Sequence, residues 1–307
     1  VMDELERHRA ELTGYCYRML GSPFEAEDAV QETLVKAWRH LAAFDESRAS
    51  IRTWLFRIAT NVCLDMLRGA RRRARPVDLA PAARPGPDIG APLPETAWVL
   101  PIPDALLDPA ELAVSRESVR LAFVAALQHL PPRQRAVLIL REVLKWSAAE
   151  TAALLGASVA AVNSALQRAR AALPATGPAE PVDEALVARY VDAFQRHDVD
   201  RLVALLHEDA TTSMPPFTWW LRGREHIRAV LLHSDAPCRD ARLVPARANG
   251  SPVFGQFHPD GRPFALLMVE TRSGLVSGTT TFLDAERIFP LFDEFRAAGP
   301  YTLHGHH

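Results

Sequence analysis

The sequence predicts a multidomain protein: two all-α domains followed by one α+β domain. Three observations carry that prediction. Amphipathic runs with serine caps fill the first and third parts of the chain. A proline-rich stretch separates them. Past about residue 180, helical runs give way to short strand-like runs punctuated by Gly250, Asp260-Gly261 and Ser273-Gly274. The expected boundaries are 1–75 for the first helical domain, 76–109 for the linker, 110–174 for the second helical domain, 181–300 for the α+β domain and 301–307 for a tail. A chain of 307 residues is long enough for roughly two or three compact cores.

In the first domain, Ser22-Pro23-Phe24-Glu25 reads as a helix start. Ser22 is the N-cap, Pro23 takes the first helical position, and Glu25 can reach back to complete a capping box. The helix runs through EAEDAVQETLVKAWRHL. Phe24, Ala29, Val30, Leu34, Ala37, Trp38 and Leu41 follow helical spacing, and Glu27, Asp28, Gln31, Glu32 and Lys36 occupy the other face. A second run, Ile51–Arg73, is capped by Ser50 and meets no proline before Pro76, so it reads as one helix. Around it lie Arg48, Arg52, Arg57, Arg68, Arg71, Arg72, Arg73 and Arg75, opposed by Asp65 alone. On a chain of net charge −2, that local field implies a polyanion partner for one face. Arg57, Asn61, Arg68 and Arg72 share a stripe with Trp54 and Leu64. Arginine binds phosphates, asparagine reads a base edge and an aromatic ring stacks on an unpaired base. A solvated basic helix with Trp54 in the core fits the same pattern.

The linker carries Pro76, Pro81, Pro85, Pro87, Pro92, Pro94, Pro101, Pro103 and Pro109, which remove donors and argue against regular helix. It is acidic, with Asp78, Asp88, Glu95, Asp104 and Asp108 against Arg84. Its composition suits a disordered tether, except that Trp98, Val99, Leu100 and Ile102 are too apolar for a spacer and are expected to dock.

The second helical domain ends in a helix-turn-helix pattern. Ser147-Ala148-Ala149-Glu150 is a capping box, Gly156 a left-handed C-cap, and Ser158 caps the next helix. On that helix Val162, Leu166, Ala169 and Leu173 face one way. Ala160, Ser164, Gln167 and Arg168 face the other, with Asn163 and Arg170 at the margin. Small, polar and basic side chains facing outward suit a helix entering a major groove, although paired helices of ordinary bundles share the pattern. The last domain opens with DEALVARYVDAFQRHD and VDRLVALLHED as helices, and GREHIRAVLL follows a Pro- and Trp-containing segment. ARLVPARAN, PVFGQFH, PFALLMVETR and LVSGTTTFL read as strands, and a final helix is expected from Ala285 to Ala298.

No apolar stretch is long and uncharged enough to span a bilayer, and VMDELERHRAELTG lacks the apolar core of a secretory signal. Cys16, Cys63 and Cys238 lie far apart without C-x-x-C spacing. Neither a disulfide framework nor a zinc site is expected, and a reducing cytoplasm fits. The closing HGHH reads as a frayed tail or an added tag, and no metal or cofactor motif is present.

With these residues in view, the chain resembles an extracytoplasmic-function (group IV) RNA polymerase sigma factor. EDAVQETLVKAW is similar to the polymerase-binding helix of sigma region 2. IRTWLFRIATNVCLDMLR is similar to the DNA-facing helix of the same region, and LPPRQRAVLILREVLKWSAAETAALLGASVAAVNSALQRAR resembles region 4. The resemblance implies that Asp28, Gln31, Glu32, Lys36 and Trp38 meet core RNA polymerase. It implies that the loop from Phe44 to Ser50 takes a flipped base of the minus-ten promoter element. Arg48, Arg52, Trp54, Arg57, Asn61, Arg68, Arg71 and Arg72 then line the melted strand. Ser158, Asn163, Ser164, Gln167, Arg168 and Arg170 would read the minus-thirty-five element, and the acidic linker would thread the polymerase cleft.

ALVARYVDAFQRHDVDRLVALLHEDATTSMPP with WWLRGREHIRAVLL is similar to the SnoaL-like (cystatin-like) α+β cone attached to some of these sigma factors. Met214, Phe217, Trp219, Trp220, His226, His258 and Glu270 are the candidate wall of its pocket, against the alternative that they pack the cone. The implied protein catalyses nothing. It recruits polymerase to promoter DNA, under control that its fused cone makes at least partly internal. An anti-sigma protein or a small-molecule ligand is the further partner in view, and membrane insertion is not expected. Two other readings stand beside this one. The first is a cone that acts as an enzyme or ligand sensor fused to a DNA-binding module, with His226, His258, Glu270 or Asp209 as base. The second is a helix-turn-helix repressor, against which EDAVQETLVKAW argues.

Overall fold

The structure is a computed structural model that describes residues 2–47, 49–70, 72–174, 180–233 and 241–298. Its first half contains α1 (Met2–Glu6), α2 (Arg9–Leu20), α3 (Pro23–His40), α4 (Ile51–Met66), α5 (Pro76–Leu79), α6 (Pro109–Ser115), α7 (Leu121–Leu127), α8 (Pro132–Leu138), α9 (Ala148–Leu155) and α10 (Val159–Ala172). The second half contains α11 (Glu184–Gln195), α12 (Val199–Ala204), β1 (Leu206–Ser213), β2 (Trp220–Arg222), α13 (Arg224–His233), β3 (Arg242–Ala248), β4 (Ser251–Phe257), β5 (Pro263–Arg272), β6 (Leu275–Phe282), α14 (Ala285–Ile288) and α15 (Asp293–Ala298). The chain divides into two compact units. One is built from residues 1–74 and 96–178, the other from residues 75–95 and 179–307.

In the first, helical unit, the serine caps lie where the sequence puts them. Ser22 accepts from the Glu25 amide at 3.4 Å, and Ser50 from the Thr53 amide at 3.1 Å. The capping box at Ser22 is only half made, because Arg73 takes the Glu25 carboxylate at 2.7 Å. Helix α2 is central, burying Leu12, Tyr15, Cys16, Tyr17 and Met19, and Tyr15 shares a 2.7 Å hydrogen bond with Thr60 of α4. Cys16 and Cys63 are buried free thiols. The neighbouring Cys16 thiol and burial together push the Cys63 thiol well above its ordinary range, which leaves it chemically quiet. Cys238 and the closing HGHH lie outside the described residues.

Three expectations for this unit are corrected. Helix α4 stops at Met66 rather than running to Arg73, since Gly69 turns the chain at φ +74°. Trp38 is not on the buried face of α3 but is 59% exposed, beside exposed Val35. The linker boundary moves: residues 96–109 belong to the helical unit, where the expected docking of the Trp98–Ile102 stretch takes place. Trp98, Val99, Leu100 and Ile102 are buried there, Ala74 pairs with Trp98 as an isolated bridge, and the Leu100 amide donates to the Gly21 carbonyl at 3.0 Å.

Buried arginines join the two halves of this unit. The Arg18 guanidinium, fully buried on α2, pairs with Glu111 of α6 at 2.5 Å and donates to the Ser118 carbonyl at 3.0 Å and hydroxyl at 2.8 Å. Burial pushes the Arg18 guanidinium below its ordinary range and the Glu111 carboxyl above it, and the ion pair moderates both shifts. Arg135 of α8 donates to the Met19 carbonyl and to the Gln128 side chain.

The second unit is a six-stranded sheet in the order β2-β1-β6-β5-β4-β3, antiparallel except for the β1–β6 pair. Leu186, Val187 and Tyr190 of α11 form a core with Val269 and Val276 of the sheet. The stretch LHED belongs to β1, not to the preceding helix. The final helix is broken into α14, a turn through Pro290 and α15, whose Phe295 packs with Phe257, Phe289 and Phe292.

Residues 75–95 belong to this second unit. The Ala83 amide donates to the Trp220 carbonyl at 2.8 Å, the Trp220 indole donates to the Ala80 carbonyl at 2.8 Å, and the Leu93 amide donates to the Pro216 carbonyl at 2.9 Å. Ala83 and Ile89 pack on the core, and Glu95 pairs with Arg287. Contrary to the expectation of no regular helix, Pro76 opens α5, at the first-turn position where its missing N–H is not needed. In the full-length chain, Trp220→Ala is expected to speed amide exchange at Ala83 and Leu93 at least about tenfold, because the indole hydrogen bond to Ala80 and a large buried side chain are lost together. Mass-spectrometric hydrogen exchange reads this directly, and unchanged protection would show that the strap does not depend on Trp220.

Candidate nucleic-acid interface

Within the helical unit, α4 brings part of the predicted stripe together. Arg57, Asn61 and Arg68 are exposed, with Trp54 and Leu64 half-buried beside them. Arg68, just past the end of α4, has a side chain 81% exposed and one weak partner, Asp65 at 3.2 Å. Trp54 stacks on Phe44 with ring centroids 4.8 Å apart, which fixes one end of the loop before the helix.

Other predicted residues are placed differently. Arg52 is held by the Glu11 carboxylate, with Nε at 2.8 and 3.0 Å from its two oxygens. Its guanidinium lies 4.8 Å from the Trp146 ring centroid and 5.3 Å from that of Phe56. Arg72 leaves the stripe because α4 ends six residues before it, and Arg73 is buried on Glu25. Arg48 and Arg71 lie outside the described residues.

The helix-turn-helix forms as a sharp corner. Ser147 and Glu150 make a full capping box, Gly156 ends α9 at φ +59°, and the chain bends by 101° into α10. The Ser158 hydroxyl accepts from the Ala161 amide at 3.1 Å. Val162, Leu166 and Ala169 are buried, which leaves Asn163, Ser164, Gln167, Arg168 and Arg170 exposed on the outer face. Arg170 is paired with Glu142. On α3, Asp28, Gln31 and Glu32 are exposed, Lys36 bonds Glu32 at 2.6 Å, and Trp38 projects from the same helix.

In the sheet unit, the candidate pocket residues separate into different environments. Trp219 is buried in the core, with Met214 and Phe217 packed against it, so these three are wall by packing. Trp220 faces the strap instead. The His226 ring lies 2.9 Å from the Arg222 carbonyl, His258 sits edge-on to Phe264, and Glu270 lies beside Gly278 on the neighbouring strand. Among the described residues none of His226, His258, Glu270 and Asp209 hydrogen-bonds another. Nor do the described residues hold a cluster of metal-ligating side chains, or a helix long and apolar enough to cross a membrane.

Comparison with known proteins agrees with these elements. Sigma-70 region 2 matches residues 5–73, sigma-70 region 4 matches residues 120–173 and the SnoaL-like domain matches residues 187–284. The ECF RNA polymerase sigma factor SigG of Mycobacterium tuberculosis (strain CDC 1551 / Oshkosh) is 45% identical over 306 residues, covering 94% of this chain and 82% of that relative. The chain belongs to the ECF RNA polymerase sigma factor family. A second curated relative, SigJ of Mycobacterium tuberculosis (strain ATCC 25618 / H37Rv), is 32% identical over 217 residues, covering 68% of this chain and 63% of that protein. The crystal structure of Mycobacterium tuberculosis SigJ superposes with a TM-score of 0.63 at 24% identity, over 98% of this chain and 99% of that one, and shares the fold.

As a member of this family, the sigma factor binds core RNA polymerase and promoter DNA to start transcription. Its region 2 comprises α1–α4, its region 4 comprises α7–α10, and its SnoaL-like domain carries the sheet. No local pattern in the sequence points to Glu11 and Trp146, which hold Arg52, or to Glu111, which holds Arg18. These partners lie far away in sequence, and no local periodicity couples them.

Proposed function

We propose that this sigma factor engages polymerase through the polar face of α3 around Asp28, Gln31, Glu32, Lys36 and Trp38. The exposed stripe Arg57, Asn61 and Arg68 takes the opened minus-ten strand, and the outer face of α10 takes the minus-thirty-five element. The SnoaL-like unit regulates rather than catalyses. The observation that carries this reading is the docking of residues 75–95 on that unit through Trp220 and Pro216. A segment held there is not available to thread the polymerase cleft, so release of the strap is the natural control step. The expected place of action is the cytoplasm, alongside polymerase.

Run-off transcription with core polymerase, comparing the full chain with one ending at residue 178, tests the proposal. Both forms are expected to direct initiation, with the truncated chain differing in output by at least about threefold. Equal output from the two would remove the regulatory role, and absence of any polymerase-dependent product would remove the assignment of α3, α4 and α10.

A further inference from the structure

Within the helical unit, a cavity of about 400 Å3 opens between the end of α4 and the turn joining α7 to α8. Its polar lining comes from Glu25, Arg72, Arg73, Thr96, Gln128 and Arg135, beside an apolar wall that includes Leu20 and Met66. Three guanidinium groups therefore share the cavity with one carboxylate, and Arg73 already occupies that carboxylate at 2.7 Å. Arg135 is 4% exposed and bonded only to uncharged groups. Its Nη1 donates to the Met19 carbonyl and to Gln128 Oε1 at 2.7 Å, and its Nη2 to the Gln128 and Leu130 carbonyls at 3.2 Å. Its buried Nε has no partner among the described residues. Burial pushes this guanidinium down to about 10, and nearby Arg72 pushes in the same direction. A buried cation without a counter-charge is costly, and carbonyl dipoles replace only part of the lost hydration.

We propose that this cavity binds a small phosphate-bearing organic anion, bonded by Arg72 and drawn by the nearby charges of Arg73 and Arg135, between region 2 and region 4. A guanidinium fork matches phosphate oxygens in pairs, and the roughly two negative charges of a phosphate answer the two positive charges that Glu25 leaves unmet. The volume lies in the range of small-molecule sites, and the Leu20–Met66 wall suits the organic part of the ligand. Such a ligand bridges residues from both sigma regions, so it stabilises the arrangement in which they are packed together.

The test titrates sodium pyrophosphate into the full-length chain by calorimetry and follows thermal unfolding in parallel. One saturable site and a melting temperature that rises with pyrophosphate are expected. Arg72 and Thr96 are both exposed, so R72A and T96E should fold normally while weakening binding at least about tenfold. R189A on the outer surface of α11 should bind as the unaltered chain does. Three results overturn the proposal: no saturable binding; equal binding by R72A, T96E and the unaltered chain; or stoichiometric displacement of pyrophosphate by a promoter duplex, which would make this a DNA-backbone contact.

Discussion

Reversing charge at Arg57 and Arg68 together (R57E/R68E) is expected to reduce promoter opening by about a hundredfold or more while leaving the helical unit folded. Both side chains are exposed, and Arg68 has only the solvent-screened Asp65 pair at 3.2 Å. Neither change removes buried area, so stability should move by no more than about 0.5 kcal/mol. Losing two strand contacts at roughly 1.4 kcal/mol each corresponds to that hundredfold. The salt dependence of promoter binding should also become shallower by about two in its logarithmic slope. Permanganate reactivity of the minus-ten region reads opening, and filter binding across a salt series reads the slope. Normal opening with an unaltered slope would move the strand contacts away from this face of α4.

The second large effect concerns stability. Glu111→Leu leaves the fully buried Arg18 cation with only the Ser118 oxygens, and should destabilise the helical unit by about 3–5 kcal/mol in urea unfolding. Arg18→Met combined with Glu111→Leu should recover most of that loss. Desolvation already works against both charges, as the lowered Arg18 and raised Glu111 affinities for protons show. If the double variant is no more stable than the single one, the pair contributes packing rather than charge compensation.

How much of this was legible in the sequence depends on the range of the interaction. Ser50, Ser147, Gly156 and Ser158 act within one turn of their own positions, and all of them cap where the pattern says. The four strands β3–β6 are also legible, as short runs bounded by the turn residues Gly250, Asp260-Gly261 and Ser273-Gly274. The run to Arg73 reads as one helix because arginines propagate a helix well, whereas Gly69 turns the chain and α4 ends at Met66. The apolarity of Trp38 points to the buried face, yet the helical register of α3 leaves it outside. The stretch LHED read as helix because β1 is specified by its neighbour β6, some seventy residues later, rather than by its own residues. The strap was invisible for the same reason: proline content reports what residues 75–95 avoid, not what covers them. Candidate site residues followed suit, since Arg57, Asn61 and Arg68 follow from periodicity, whereas the Glu11–Arg52–Trp146 cluster exists only once the chain has folded.

The separation of Ala80 from Trp220 by 140 residues has a consequence for biosynthesis. At roughly 5–20 residues per second, about seven to thirty seconds pass between emergence of the one and of the other from the ribosome. In the last part of that interval, once α10 has emerged, everything needed for promoter recognition has been made, while the SnoaL-like unit that holds the strap has not. Under the proposed restraint, newborn chains pass through a licence period, and any slowing of translation beyond region 4 lengthens it.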